Sequence, residues 1–205
     1  MSEILMLSNC RLSFPQLVEP KAFQEGSPKK YSADLIIDPA SDDWKKVMSN
    51  IMVVAQEKWK DQAQAVLGMI QSDRRLRCFG NGAEKISKTK MTVYDGYPGM
   101  VYLSVSNNNA PQAIEQSGKA VPPDNTMAYS QVARKCYGGC RINAAVRFYC
   151  QDNQFGRGIR GELIAFQFGT DDTPFGDGDT DASSLFSAVA SAAAPAGIAF
   201  PSFLS

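Results

Sequence analysis

The sequence predicts a mainly β protein: a small closed barrel of about five short strands with one inserted α-helix, long loops and a flexible C-terminal tail. Three observations support this fold class. Apolar and polar residues alternate along several short segments, as they do in strands that bury one face. One longer stretch instead repeats its apolar residues at helical spacing. Segments rich in glycine, proline and asparagine separate these elements, and an apolar content of 44% is enough for a core in 205 residues.

The clearest strand prediction is the segment 141–150, which a glycine-rich turn connects to a second strand. Alternation gives this segment one apolar face and one face that carries Arg141, Arg147 and Tyr149. Three further alternating segments are predicted as strands: 4–14, 31–37 and 99–106. Phe14 falls on the apolar face of the first of these, so we expect it to lie in the core.

Residues 41–70 form the clearest predicted helix. Ser41 suits the N-cap, and Asp42 and Asp43 place negative charge at the positive end of the helix dipole. Residues 129–135 fit either a helix or an irregular segment, and the Asn-, Pro- and Gly-rich stretch before them indicates a long loop. An OB-fold is the leading candidate for this set of elements, although residue patterns alone do not separate it from other small barrels.

Charge is distributed unevenly along the chain although its net value is zero. All 21 lysines and arginines lie at or before Arg160, and residues 1–168 carry a net charge of +5. The remainder contains five aspartates and no basic residue, which gives −5. We therefore predict a basic domain at 1–169 and a tail at 170–205 that is first acidic and then rich in alanine and serine.

Several function classes are disfavoured by composition. The chain has no histidine, which removes Ser-His and Cys-His catalysis and most metal-hydrolase sites. Five scattered cysteines do not suggest a disulfide framework, and the pair Cys136 and Cys140 lacks the further ligands that zinc requires. No apolar run approaches the length of a membrane span, and the N-terminus is a poor signal peptide. We expect a cytoplasmic protein that is not an enzyme and needs no metal or cofactor.

Basic residues interleaved with aromatic ones point to nucleic-acid binding instead. Arginine and lysine contact phosphates, and aromatic rings stack on exposed bases. On the strand 99–106, alternation turns Tyr102 outward, where it would join Tyr149. The residues predicted to contact DNA are Arg141, Arg147, Tyr149, Tyr102, Tyr137, Lys29, Lys30, Arg134, Lys135 and Arg157.

Three sequence blocks follow one another in a distinctive order: LSFPQLVEPKAF at 12–23, KYSADLII at 30–37, and CYGGCRINAAVRFYCQDNQFGRG from Cys136. Together they resemble successive blocks of the tailed-phage single-stranded DNA-binding proteins. The resemblance covers most of residues 10–168. The matching positions are Leu12, Ser13, Phe14, Pro15, Glu19, Pro20, Lys21, Lys30, Tyr31, Ser32, Ala33, Tyr137, Gly139, Cys140, Asn143, Ala144, Phe148, Tyr149, Gly156 and Gly158.

This resemblance implies an OB-fold that binds single-stranded DNA without strong sequence preference during phage DNA replication or recombination, in the host cell cytoplasm. Members of the class often end in an acidic stretch with a Pro-Phe tip, and DDTPF at 171–175 resembles that tip. Here 30 further residues follow it. The tail would compete with DNA for the basic domain or recruit replication or recombination proteins, and the protein would act as a monomer, a homo-oligomer or a cooperative filament on DNA.

Three alternatives remain open at the level of sequence. A single-strand annealing recombination protein would also bind single strands. A nuclease would need clustered carboxylates for metal ions, for which Asp152 and Glu162 are candidates without an evident cluster. A virion structural protein with a β-barrel would bind no nucleic acid.

Overall fold

The computed structural model describes residues 3–154 and 156–176, and within them the chain forms eight strands and three α-helices. The strands are β1 (Ile4–Ala22), β2 (Lys29–Ile37), β3 (Phe79–Asn81), β4 (Val101–Asn107), β5 (Gln112–Ile114), β6 (Ala120–Val121), β7 (Arg141–Asn153) and β8 (Gly156–Thr170). The helices are α1 (Asp42–Trp59), α2 (Ala63–Ser72) and α3 (Thr126–Lys135). None of these helices has the length and apolar character needed to cross a membrane.

Five of the strands close into a barrel. β1 pairs with both β2 and β7, β2 pairs with β4, and β7 pairs with β8, all in antiparallel fashion. A short parallel pairing of β4 with β8 completes the ring, with Val105 beside Gly161 and Ser106 beside Glu162. This closed arrangement confirms the predicted OB-fold-like barrel of five strands.

The inner face of the barrel is the apolar face that alternation predicted. Leu12, Leu35, Leu103, Phe148 and Phe166 come from the five barrel strands in turn and are at most 1% exposed. Helix α1 covers this core with one stripe, which is buried at Val47, Ile51, Val54, Ala55 and Trp59. Aliphatic and aromatic burial on this scale is the main term that stabilises such a domain.

Element boundaries differ from the predictions where local geometry changes. The predicted helix at 41–70 is divided, because Lys60 adopts a φ of +49° and ends α1 before α2 begins. Ser41 caps α1 as expected, since its hydroxyl accepts the N–H of Trp44. The predicted loop before 129 contains the β5–β6 hairpin, and the segment at 129–135 is helical, as part of α3.

Residues 82–100, here called the cover segment, lie over part of the outer face of the barrel, where they contact Phe14 of β1, Asp34 of β2 and Tyr102 of β4. Tyr97 of this segment packs with Ile36 and Tyr102 in a second apolar cluster outside the barrel. Alternation correctly turns Tyr102 away from the interior, but the cover segment leaves it only 4% exposed. The solvent-facing position expected for Tyr102 is therefore wrong, because alternation reports which side of a sheet a residue takes and not what covers that side.

Candidate nucleic-acid interface

One row of side chains crosses the outer surface of the barrel perpendicular to its strands. The register pairs Gln16 with Ser32, Ser32 with Ser106, Ser106 with Glu162, and Glu162 with Arg147. Residues directly opposite each other in a ladder share a face, so these five side chains form a continuous polar strip, here called the outer row. Neighbouring strands are about 4.8 Å apart, which makes the outer row about 19 Å long.

Tyr149 stands beside the β7 end of the outer row. Its side chain is 44% exposed, and a surface cavity of about 240 Å³ is lined by Tyr149, Lys30, Ser106, Asn108 and Glu162. Partial burial, and then the charge of Glu162, raise the pKa of the Tyr149 hydroxyl, so it stays protonated at neutral pH. The structure thus brings Tyr149 and Lys30 together across the barrel, although they are far apart in sequence.

Arg147 lies in the outer row but is ion-paired. Its Nε and Nη2 donate to Glu162 Oε2 at 2.9 and 2.6 Å. Both side chains are partly exposed, so the pair contributes at most about 1 kcal/mol to stability. Two roles fit this geometry. Either a DNA phosphate replaces Glu162 as the partner of the Arg147 guanidinium, or the guanidinium keeps the Glu162 carboxylate paired so that it does not repel a phosphate.

Lys29 and Lys30 are exposed at the start of β2. Lys30 lies directly opposite the exposed Lys21 of β1 in the ladder, and Lys29 opposite Ala22. Two like charges opposite each other destabilise a sheet. The pair therefore has no stabilising role in the fold, whereas two adjacent ammonium groups suit a polyanion.

Arg134 and Lys135 are exposed in the last turn of α3, where positive charge also complements the helix dipole. A cavity of about 260 Å³ runs between α3 and β1, and its lining includes Arg134, Lys21 and Gln16. Arg134 therefore borders the β1 end of the outer row. Lys135 follows it on the helix, with no contact to the outer row among the described residues.

Tyr137 and Arg141 contact a different partner, the segment 171–176, here called the docked segment. The Tyr137 hydroxyl bonds to Asp171 Oδ1 at 3.1 Å and to the carbonyl of Asp172 at 2.9 Å. Arg141 Nε donates to Asp172 Oδ2 at 2.7 Å. These two predicted DNA contacts are thus occupied by the first residues of the chain's own acidic tail.

Arg11, which was not predicted from the sequence, is a third side chain that binds the docked segment. Its Nη2 donates to the carbonyl of Thr173 at 2.7 Å, its Nε lies 3.5 Å from Asp172, and its guanidinium carbon is 4.3 Å from the centre of the Phe175 ring. The N–H of Thr173 first, and then Arg141 and Arg11, hold the pKa of Asp172 below its ordinary value. The carboxylate is therefore fully charged at neutral pH.

Two glycines make room for the docked segment. Gly139 (φ +110°) lies against the backbone at Thr173, and Gly96 (φ +80°) lies against the Phe175 ring, where a side chain at either glycine would clash. The N–H of Phe175 donates to the carbonyl of Gly138 at 2.9 Å. The YGGC motif at 137–140 thus serves the docking of residues 171–176, a role that its sequence alone did not reveal.

Arg157 lies away from the outer row, near the β7–β8 turn, where its guanidinium contacts Asp152 at 3.4 Å and Gln62 at 2.9 Å. Sequence reasoning missed Arg160, which lies opposite Tyr149 in the β7–β8 ladder. Arg160 donates to Gln151 at 2.8 Å and to the carbonyl of Arg75 at 2.8 Å. The signal that could have identified it is its two-residue spacing from Glu162 on β8.

The carboxylates and thiols that were considered as metal ligands do not come together in one cluster within the described residues. Asp152 and Glu162 are each engaged by an arginine, and no group of three or more His, Cys, Asp or Glu that could hold a metal occurs in residues 3–154 and 156–176. Burial raises the pKa of Cys136 to about 12 and that of Cys140 to about 11, so both thiols are protonated at neutral pH.

The chain is similar in sequence to known phage proteins. A family model described as "Enterobacter phage Enc34, ssDNA-binding protein" matches residues 3–194. "Putative protein p50" of Acyrthosiphon pisum secondary endosymbiont phage 1 is 32% identical over 177 residues, which cover 85% of this chain and 84% of that protein.

Solved structures share the fold. The single-stranded DNA-binding protein from bacteriophage Enc34, solved in complex with ssDNA, matches with a TM-score of 0.62 at 21% identity, over 83% of this chain and 88% of that one. The single-stranded DNA-binding protein gp2.5 of bacteriophage T7 matches with a TM-score of 0.51 at 11% identity, over 95% of this chain and all of that one. Since the family model spans nearly the whole chain, the protein belongs to the family of the Enterobacter phage Enc34 ssDNA-binding protein.

Proposed function

We propose that this protein binds and protects single-stranded DNA without strong sequence preference during phage DNA replication or recombination in the host cytoplasm. The outer row is the observation that carries the proposal. It crosses all five barrel strands, and beside it Lys30 and Tyr149 line one cavity, with Lys21 opposite Lys30 in the β1–β2 ladder. OB-folds bind oligonucleotides on the face of their second and third strands, which are β2 and β4 in this barrel. The complex of the Enc34 protein with ssDNA, on the same fold, supports the assignment.

The expected binding mode combines stacking with phosphate contacts. A base would stack on Tyr149, while Lys29, Lys30 and Arg147 would contact phosphates along the outer row. Arg134 and Lys21 would extend this path across the cavity beside α3. Because every base has a π-face and every nucleotide a phosphate, such contacts bind without sequence preference. Binding of this kind involves no chemical step, so we propose a protein that is not an enzyme.

The acidic end of the chain would regulate this binding or recruit replication and recombination proteins. Asp172 of the docked segment already forms ion pairs with Arg141 and Arg11. Residues 177–205, including the remaining aspartates and the apolar end, lie outside the described residues. We place the boundary between the barrel domain and the tail at residues 169 and 170, a proposal that the end of β8 at Thr170 supports.

Fluorescence anisotropy of the full chain tests the proposal. We expect tight binding to oligo-dT, much weaker binding to a duplex of equal length, and an affinity that falls with added salt. No binding to any nucleic acid would contradict the proposal and favour a structural protein. Rapid pairing of complementary strands by the protein would favour a single-strand annealing protein. Titration with oligomers of increasing length would reveal self-association on DNA.

A further inference from the structure

A strained and half-exposed phenylalanine interrupts β1 at the end of the outer row. β1 pairs Ser13 with Asp34 and Gln16 with Ser32, so it has one more residue than β2 between these two pairs. Within this bulge Phe14 adopts a φ of +47°, which bulky residues rarely do. The bulge leaves Phe14 47% exposed instead of in the core, where alternation had placed it.

The Phe14 ring forms a wall of a cavity of about 450 Å³, within the range of about 300–1,000 Å³ that small-ligand sites occupy. The bulge supplies Phe14 and Pro15, the cover segment supplies Tyr94, and the docked segment supplies Phe175. The rings of Phe14 and Tyr94 meet edge to face, 4.9 Å between centres at 80°. This contact holds the Phe14 ring in place before any ligand arrives, which lowers the entropic cost of binding.

The lining of the cavity matches a nucleobase better than an apolar group. Beside the aromatic rings its lining includes three polar residues, Ser87, Lys90 and Asp95. An aromatic platform with a polar rim stacks a planar heterocycle and offers hydrogen-bonding groups to its edge. Backbone strain of this kind is often found at ligand-binding positions.

The cavity is also continuous with the outer row. Pro15 borders both this cavity and the one beside α3, and Gln16, the β1 end of the outer row, is the next residue. A DNA single strand that leaves the outer row at Gln16 therefore meets Phe14 only two residues away along β1. We propose that this cavity binds one base of the single strand by stacking on Phe14, an inference that rests on the proposed function.

The test compares Phe14→Leu, which keeps apolar bulk but loses the ring, with Phe14→Tyr, which keeps the ring. On oligo-dT we expect Phe14→Leu to bind about fivefold or more weakly, and Phe14→Tyr to bind like the wild type. On an abasic phosphodiester oligomer of the same length, both variants should match the wild type, because no base is present to stack. Met69→Ala, at an exposed position on α2, is the control and should change neither affinity.

Two results would overturn the proposal while leaving the proposed function intact: wild-type affinity of Phe14→Leu for oligo-dT, or an equal loss on the abasic oligomer, which would indicate a general change of shape. Failure of the wild type to bind oligo-dT would overturn both the base site at Phe14 and the proposed binding of single-stranded DNA. If Phe14→Leu unfolds, Phe14→Trp provides a second measurement. Its added indole emission should be quenched by oligo-dT and not by the abasic oligomer, and unchanged emission with both would contradict base stacking.

Discussion

The Tyr149 side chain is 44% exposed beside the outer row, and we propose that its ring stacks with a base. We expect Tyr149→Ala to weaken binding to oligo-dT by about 1–3 kcal/mol and to leave the salt dependence of the affinity almost unchanged, since a lost stack releases no counterions. Tyr149→Phe keeps the ring and should bind like the wild type. Anisotropy titrations at two salt concentrations measure both quantities, and a changed salt slope for Tyr149→Ala would argue against stacking.

Arg147 and Glu162 form an ion pair in the outer row, and a pair of variants distinguishes a DNA contact from a structural bridge. Arg147→Ala removes the cation and leaves Glu162 unpaired beside the DNA, so we expect weaker binding and a salt slope lower by about 0.7. Glu162→Gln removes the same ion pair but frees the guanidinium, so affinity should hold or rise. Equal affinities for the two variants would mean that Arg147 acts only as a structural partner of Glu162.

The sequence predicted these residues unevenly, and the reasons are physical. Alternation correctly identified the outward positions of Arg147 and Tyr149, because the period of a strand is strictly two residues. It failed for Phe14, because a bulge breaks that period. It was incomplete for Arg141, because an alternating pattern carries no information on the carboxylate of Asp172 that reaches Arg141 from 31 residues further along the chain.

At the scale of elements, Lys21 and Lys30 bring two like charges together on the β1–β2 ladder. We expect Lys30→Ala to leave the free energy of unfolding unchanged or to raise it by a few tenths of a kcal/mol, since it relieves repulsion. The same variant should bind oligo-dT more weakly, with a salt slope lower by about 0.7. Chemical denaturation and salt-dependent titration test the two effects separately. A loss of stability together with unchanged binding would assign Lys30 to the fold.

Asp34 attaches the cover segment to the barrel. Its side chain is 5% exposed and accepts hydrogen bonds from Lys85 Nζ at 2.6 Å, Tyr97 Oη at 2.8 Å and Ser104 Oγ at 2.5 Å. Burial, and then the charge of Asp34, raise the pKa of Tyr97, so its hydroxyl remains a donor at neutral pH. A carboxylate with three donors is a fully satisfied buried network.

We expect Asp34→Asn to lower the free energy of unfolding by about 2–4 kcal/mol, because Lys85 loses its counter-charge and the amide group cannot accept all three hydrogen bonds. Asp38→Asn, one residue beyond the same strand and exposed, is the matched control and should change stability by less than about 0.5 kcal/mol. Similar midpoints of denaturation for the two variants would contradict this account of the cover segment.

The five-stranded barrel was predictable from sequence because each of its main strands has its own alternating pattern. The cover segment was not, because residues 82–100 form only a short 3-10 turn, irregular backbone hydrogen bonds and one isolated bridge, and attach to Asp34 through the side chains of Lys85 and Tyr97. Contacts of that kind leave no periodic signal. The division of the helical region at Lys60 was also hidden, because one residue with positive φ interrupts the helix without changing its apolar spacing.

At the scale of the whole molecule, the docked segment shows where the first residues of the acidic tail bind the basic domain. Arg141 and Arg147 lie on the same face of β7, six residues apart, so the site of Asp172 and the outer row share that face of the strand. The carboxylate of Asp172 keeps its charge well below neutral pH, because its pKa is lowered in the folded protein. Its contribution to docking is therefore constant around neutral pH and is lost only as the pH falls through that lowered pKa.

Two truncations test whether this acidic end competes with DNA. A chain ending at Thr170 lacks the docked segment, which exposes Arg11 and Arg141 but also removes Phe175 from the lining of the Phe14 cavity. Because two cations are released and the Phe14 ring is kept, we expect this chain to bind oligo-dT at low salt about two- to fivefold more tightly than a chain ending at Gly176. The difference between the two should disappear at high salt, where screening removes the competition. Asp172→Asn in the full chain should reproduce part of the gain without any truncation. If both truncated chains bind like the wild type at low salt, the acidic end does not compete with DNA, and recruitment of partner proteins is left as its role.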